Sequence, residues 1–69
     1  MDHVVDARGL RCPLPLIRAR AALRALAPGD TLVVLADDPE APIDLAALAH
    51  DTRRGFAQDG ERLVLTAEQ

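Results

Sequence analysis

Pro28-Gly29-Asp30-Thr31-Leu32-Val33-Val34-Leu35-Ala36-Asp37-Asp38-Pro39 is the stretch whose reading decides the architecture. Pro28-Gly29-Asp30 are breakers that stop whatever precedes them. Thr31–Ala36 is a continuous apolar run of strand length, the pattern of a central strand covered on at least one face. Asp37-Asp38-Pro39 ends that strand in a polar turn. Upstream, Pro13 to about Ala27 reads as a helix. Leu16, Ala19, Leu23 and Leu26 recur three and four apart and form one core stripe, and five alanines between positions 19 and 27 supply helix propensity. Before it, His3-Val4-Val5-Asp6 is a short strand followed by a turn at Gly9. Downstream, a second helix is predicted from Pro42 to about Arg53, with Leu45, Leu48, Ala49 and Thr52 toward the core and Gly55 closing it. Phe56-Ala57-Gln58 and Arg62–Thr66 then flank Asp59-Gly60, a hairpin signal.

The order is β-α-β-α-β-β, without repeat, linker or low-complexity segment. It predicts the α+β class: a two-layer α/β sandwich with two helices on one face of a four-stranded mixed sheet. The first β-α-β unit is expected to be a parallel, right-handed crossover. Sixty-nine residues form a single domain, 1–69, with a small core. One Phe and no Trp or Tyr make that core aliphatic. Met1–Asp6 has neither a charged lead nor a long apolar run, so no signal peptide and no membrane span is expected. A lone cysteine excludes an internal disulfide and suits a reducing cytoplasm. Residues 1–27 carry five Arg against Asp2 and Asp6, a net +3, while residues 28–69 carry three Arg against nine acids, a net −6. Cys12 is therefore expected in the electropositive part of an acidic chain, where an anionic ligand or acidic partner would be drawn. The overall charge of −3 argues against direct nucleic-acid binding.

Cys12 lies in Arg8-Gly9-Leu10-Arg11-Cys12-Pro13-Leu14-Pro15, where a loop ends and a helix begins. With Cys12 as N-cap, Pro13 is the first helical residue and Pro15 the third, positions that tolerate proline. The Leu14 amide is then free to donate to the sulfur. The helix dipole and Arg11 both favour the thiolate, so a lowered thiol pKa is expected. The prolines hold the backbone so that the sulfur points outward. Leu14 and Ile17 fall outside the core stripe and form an apolar collar suited to docking another protein, with Arg18 and Arg20 available to steer it. A free cysteine is usually a buried small hydrophobe, but Arg11, Gly9 and the two prolines mark a surface junction.

Other chemistries fit less well. Cys12 and Arg18 have the Cys-x5-Arg spacing of cysteine phosphatases, but two of the five intervening residues are proline and none is glycine, so no phosphate cradle forms. His3 and His50 are plain surface residues rather than a base for Cys12 or metal ligands. A thioredoxin-type cycle needs a second cysteine. Asp37-Asp38 reads as a strand-ending turn rather than a catalytic pair. Asp44 reads as a first-turn acid stabilised by the dipole of the second helix. Asp6 is expected to bond loop amides leading to Cys12.

These residues resemble the TusA/SirA family of small sulfur-carrier proteins. The resemblance rests on Asp6-x-x-Gly9-Leu10-x-Cys12-Pro13-x-Pro15, a helix, Pro28-Gly29-Asp30, an apolar strand, Ala36-Asp37-Asp38-Pro39 and then Asp44. It runs from Val4 to Thr66. It implies the same sandwich, and it implies that Cys12 carries sulfane sulfur as a persulfide. The sulfur would come from a donor enzyme, a cysteine desulfurase or rhodanese-like protein, and pass to an acceptor sulfur-relay protein. The routes in the family include transfer RNA thiolation, sulfur oxidation and molybdenum-cofactor biosynthesis. No cofactor, metal or membrane is implied, and a monomer is expected. One departure is a shorter stretch between Asp44 and Asp59, which predicts a brief third strand over Phe56–Gln58. The alternative is a non-enzymatic regulatory or protein-binding module using the same surface.

Overall fold

The computed structural model describes residues 2–68. Its elements are β1 (Asp2–Asp6), α1 (Leu14–Arg24), β2 (Thr31–Leu35), α2 (Ala41–Asp51), β3 (Arg54–Asp59) and β4 (Arg62–Glu68). The predicted order and class are both found. The sheet runs β1-β2-β4-β3. β1 and β2 are parallel, with Val4 opposite Val33, and the other two pairings are antiparallel, so the sheet is mixed.

Period-two alternation aims Leu32 and Val34 of β2, and Leu63 and Leu65 of β4, into one core. Ala19 from α1 and Ala41, Leu45, Leu48 and Ala49 from α2 complete it. Leu32, Leu45, Leu63 and Leu65 are fully buried. Each such leucine contributes about 1.5–3 kcal/mol. Of the predicted α1 stripe, Ala19 is fully buried, while Leu16, Leu23 and Leu26 pack partly against the core. Pro15, expected only to open the helix, is among the largest fully buried side chains. It anchors the start of α1 to the interior.

Helix ends differ from expectation by a few residues. α1 stops at Arg24, because the Ala25 amide already bonds to the carbonyls of Ala22 and Leu23 in a tightened last turn. α2 runs from Ala41 to Asp51 and is capped by Thr52, whose hydroxyl donates to the Leu48 carbonyl at 2.8 Å. Thr52 is thus a half-buried cap rather than a core residue. Gly55 does not close this helix. Arg53 does, in the left-handed region at φ 60, and Gly55 lies inside β3.

The third strand is six residues long, not the three expected over Phe56–Gln58. Between the Arg54–Glu68 and Phe56–Leu65 pairs, β4 has two residues where β3 has one, which makes a β-bulge. Arg54 is buried there. Its Nη1 donates to the carbonyls of Asp30 (2.6 Å) and Thr66 (3.2 Å), and its Nη2 to that of Ala27 (3.3 Å). Arg54 therefore ties the loop after α1 to the bulged strand. At the hairpin, Asp59 pairs with Arg62, so the two-residue turn is Gly60-Glu61, one position later than predicted. Gly60 takes φ 59 there, a conformation glycine adopts without steric cost.

Candidate functional site at the start of two helices

The site is built where the loop after β1 meets the loop after β2. Parallel pairing places both loops at the same end of the sheet. The Ala7 amide extends that pairing to the Leu35 carbonyl at 2.7 Å. Asp6 then folds the chain back on itself. It accepts from the Arg8 amide (3.1 Å), Arg8 Nε (3.0 Å) and Arg8 Nη2 (2.8 Å). The Arg8 side chain and then the Arg8 amide hold the Asp6 carboxyl down at about 2. Gly9 turns at φ 84, which an L side chain rarely adopts.

Asp37 and Asp38 fasten this loop. Asp37 Oδ1 accepts from the Gly9 amide at 3.0 Å. Asp38 is buried; its Oδ2 accepts from the Cys12 amide and its Oδ1 from the Glu40 amide at 3.0 Å. The Glu40 and Cys12 amides, with a smaller effect from Arg11, hold the Asp38 carboxyl below its usual range. The strand-ending turn is real, but the same two carboxylates also position the cysteine.

Cys12 is exposed, as the sequence predicts. It is not the N-cap: that position belongs to Pro13, so the helix begins at Leu14 and Pro15 is its second residue. The Cys12–Pro13 peptide bond is cis. The Leu14 amide, expected to donate to the sulfur, donates instead to the Arg11 carbonyl at 2.8 Å. The sulfur takes a different partner. Cys12 Sγ donates to Asp44 Oδ2 at 3.3 Å, reaching from the start of α1 to the first turn of α2.

That contact reverses the expected electrostatics. The hydrogen bond to Asp44 pushes the thiol pKa above its ordinary value, as do partial loss of water and the charges of Asp44, Asp38 and Glu40. The lowering expected from the helix dipole and Arg11 fails because folding brings acids from the β2–α2 loop and α2 to the sulfur. Arg11 is exposed, and its charge acts on Asp38.

Leu14 and Ile17 are exposed, at 45% and 49%, on the first turns of α1, and Ile43, at 66%, stands beside Asp44 on α2. Ile43 was not foreseen as part of this surface. Arg18 and Arg20 lie exposed along α1. His3 sits 3.5 Å from Asp30, and His50 lines a groove of about 540 Å³ between α2 and β3 with Arg53 and Phe56. Neither histidine is the hydrogen-bond partner of Cys12, a place that Asp44 takes. Among the described residues no three His, Cys, Asp or Glu side chains are grouped to hold a metal ion. No helix among them is long and apolar enough to cross a membrane.

The arrangement offers one accessible sulfur, a fastened backbone around it, an acidic contact beside it and apolar side chains on both flanking helices. It suits reversible chemistry at that sulfur within a protein–protein contact. A family model described as Sulfurtransferase TusA matches residues 3–58, which take in the whole of this site.

Proposed function

Because the chain belongs to the TusA sulfurtransferase family, a family of sulfur carriers, we propose that Cys12 is the carrying atom and relays sulfane sulfur as a persulfide. The observation that supports this most directly is the exposed Cys12 sulfur on a backbone fixed by Asp38, in a chain with no second cysteine to resolve it as a disulfide.

The relay has two displacements. The Cys12 thiolate attacks the outer sulfur of a donor persulfide; the donor S–S bond breaks and the donor leaves as thiolate. An acceptor thiolate then attacks the outer sulfur of Cys12-S-SH, and Cys12 leaves as thiolate. Each step moves one neutral sulfur atom, so no external oxidant or reductant is consumed. A cysteine desulfurase or rhodanese-like enzyme fits the donor role, and a thiol-bearing relay protein fits the acceptor role. Pro13 and Pro15 set the helix start that presents the sulfur. Leu14 and Ile17, with Arg18 and Arg20 further along α1, form the docking surface. The reaction suits a reducing compartment such as the cytoplasm, with transfer RNA thiolation among the routes it could serve.

The test is an intact mass after incubation with a sulfur donor, with and without reductant. A reducible gain of one sulfur, lost in Cys12→Ser, is expected. An unchanged mass with several donors refutes the assignment. The exposed Leu14, Ile17 and Ile43 also favour a second reading, a protein-binding module that moves no sulfur. Cys12→Ser retaining both partner binding and cellular phenotype would select that reading.

A further inference from the structure

Resting on the assignment of Cys12 as the carrier, we propose that Asp44 is a guard: its carboxylate holds Cys12 as an S–H donor in the free protein, and the sulfur becomes nucleophilic when a docking partner takes over that carboxylate. The geometry carries this. Sγ and Oδ2 are 3.3 Å apart, and the bond requires the proton to stay on sulfur, because a thiolate has none to donate. Asp44 belongs to a different helix, 32 residues along the chain, so the contact depends on how α1 and α2 meet.

Among the described residues, the charged groups acting on the sulfur from the neighbouring elements are acids: Asp44 on α2, and Asp38 and Glu40 on the loop before it. On the cysteine's own loop, the Arg11 charge acts on Asp38. Asp38 is buried and committed to two amides, so it cannot be redirected without releasing the loop. Asp44 is half-buried at the surface, beside the exposed Ile43. Glu40 is exposed but makes no bond to the sulfur, so Asp44 is the sulfur-bonded carboxylate that a partner can reach. A cationic side chain placed against Asp44 would draw its charge away from the sulfur, and the proton would leave to solvent. The partner chemistry is therefore an apolar patch for Leu14, Ile17 and Ile43 with an Arg or Lys at its edge.

The guard also distinguishes empty from loaded carrier. Once Cys12 bears sulfur, its Sγ is bonded to a second sulfur and has no proton. The hydrogen bond from Sγ itself to Asp44 cannot then form, and only the outer S–H is left to donate.

The test needs no sulfur donor, so its failure is separable from failure of the carrier assignment, which the mass experiment reads. Cys12 is the only cysteine, so iodoacetamide alkylation followed against pH reports on it alone. Asp44→Asn is expected to move the alkylation midpoint to lower pH. Each unit of that fall raises the rate at pH 7 roughly threefold, because a tenfold gain in thiolate is partly offset by weaker nucleophilicity. Asp44→Glu is expected to keep the midpoint near that of the parent, and Glu40→Gln to move it less than Asp44→Asn. Far-UV circular dichroism confirms that each variant is folded. An unchanged or higher midpoint in Asp44→Asn overturns the proposal, as does an equal shift in Glu40→Gln. Thiolate absorbance of the unaltered protein gives a second check: a midpoint at or below that of a free cysteine overturns it without any variant.

Discussion

Replacing Arg54 with Met should remove the tie between the loop after α1 and the bulged strand while keeping most of the buried aliphatic volume. Three backbone carbonyls lose a charged donor: Asp30 at 2.6 Å, Thr66 at 3.2 Å and Ala27 at 3.3 Å. A hydrogen bond to a charged group contributes about 1.5–3 kcal/mol net. The three are not independent, since Ala27 also accepts from the Asp30 amide at 3.0 Å, and Met recovers the desolvation cost of a guanidinium. The expected loss is therefore about 2–3 kcal/mol rather than the full sum. At about 0.05–0.15 kcal/mol per residue, a chain of 69 residues has only about 3–10 kcal/mol of stability. Its unfolding entropy is on the order of 145 cal/mol/K, so each kcal/mol corresponds to about 7 °C in melting temperature. Arg54→Met should melt about 15–20 °C lower, followed by circular dichroism at the helix band. Arg54→Lys keeps the charge but lacks the planar fork that spans three carbonyls, and it should recover less than half of that loss. The alkylation profile of Cys12 should stay put in both variants, since Arg54 takes no part in the cysteine loop. A melting temperature within about 3 °C of the parent for Arg54→Met would refute the tie.

Arg53→Gly should stabilise the chain, because Arg53 holds φ 60 at the end of α2. Relief of about 1–2 kcal/mol of left-handed strain, less about 0.5–1 kcal/mol of added unfolded-state freedom, leaves a melting temperature a few degrees higher; a lower one would mean the Arg53 side chain contributes more than the strain costs. Acid titration of stability follows from three carboxyls held low, Asp6 at about 2 and Asp30 and Asp38 also below their usual range. Groups depressed in the folded state stabilise fully above their unfolded value of about 3.9 and lose that contribution as pH falls through the folded value. Melting temperature should therefore drop between pH 4 and 2, and Asp6→Asn should flatten the part of that drop due to Asp6.

The central strand, both helices and the exposed cysteine were legible because each has a local signature. The β2 run of apolar residues between breakers admits one reading, and Leu45, Leu48 and Ala49 repeat with helical period. What stayed hidden is non-local. Arg54 looks like the polar end of a helix, and only the three-dimensional bulge shows that its charge is spent on carbonyls. Asp38 bonds a backbone amide 26 residues away, and Asp44 a thiol 32 residues away. Such bonds leave no periodicity to detect. A faint signal did exist: two acids directly after a buried strand, at the end of a parallel β-α-β unit, must lie near the loop that opens its helix.

In the relay proposed for Cys12, the acidic surroundings of the sulfur change the expected division of labour between the two displacements. A lowered thiol pKa would have favoured the cysteine as leaving group, and so sulfur delivery. The raised pKa does the reverse. It makes the thiolate scarcer at neutral pH but more nucleophilic once formed, and it makes Cys12 the poorer leaving group. A carrier so tuned would be slow to react alone, quick to accept sulfur once its proton is drawn off, and reluctant to give the sulfur up unaided. On that proposal, delivery depends on an acceptor whose basic groups neutralise the reachable Asp44 and Glu40 as the Cys12 thiolate departs. In that proposal, the carboxylates around Cys12 make both transfers conditional on a partner of the right charge.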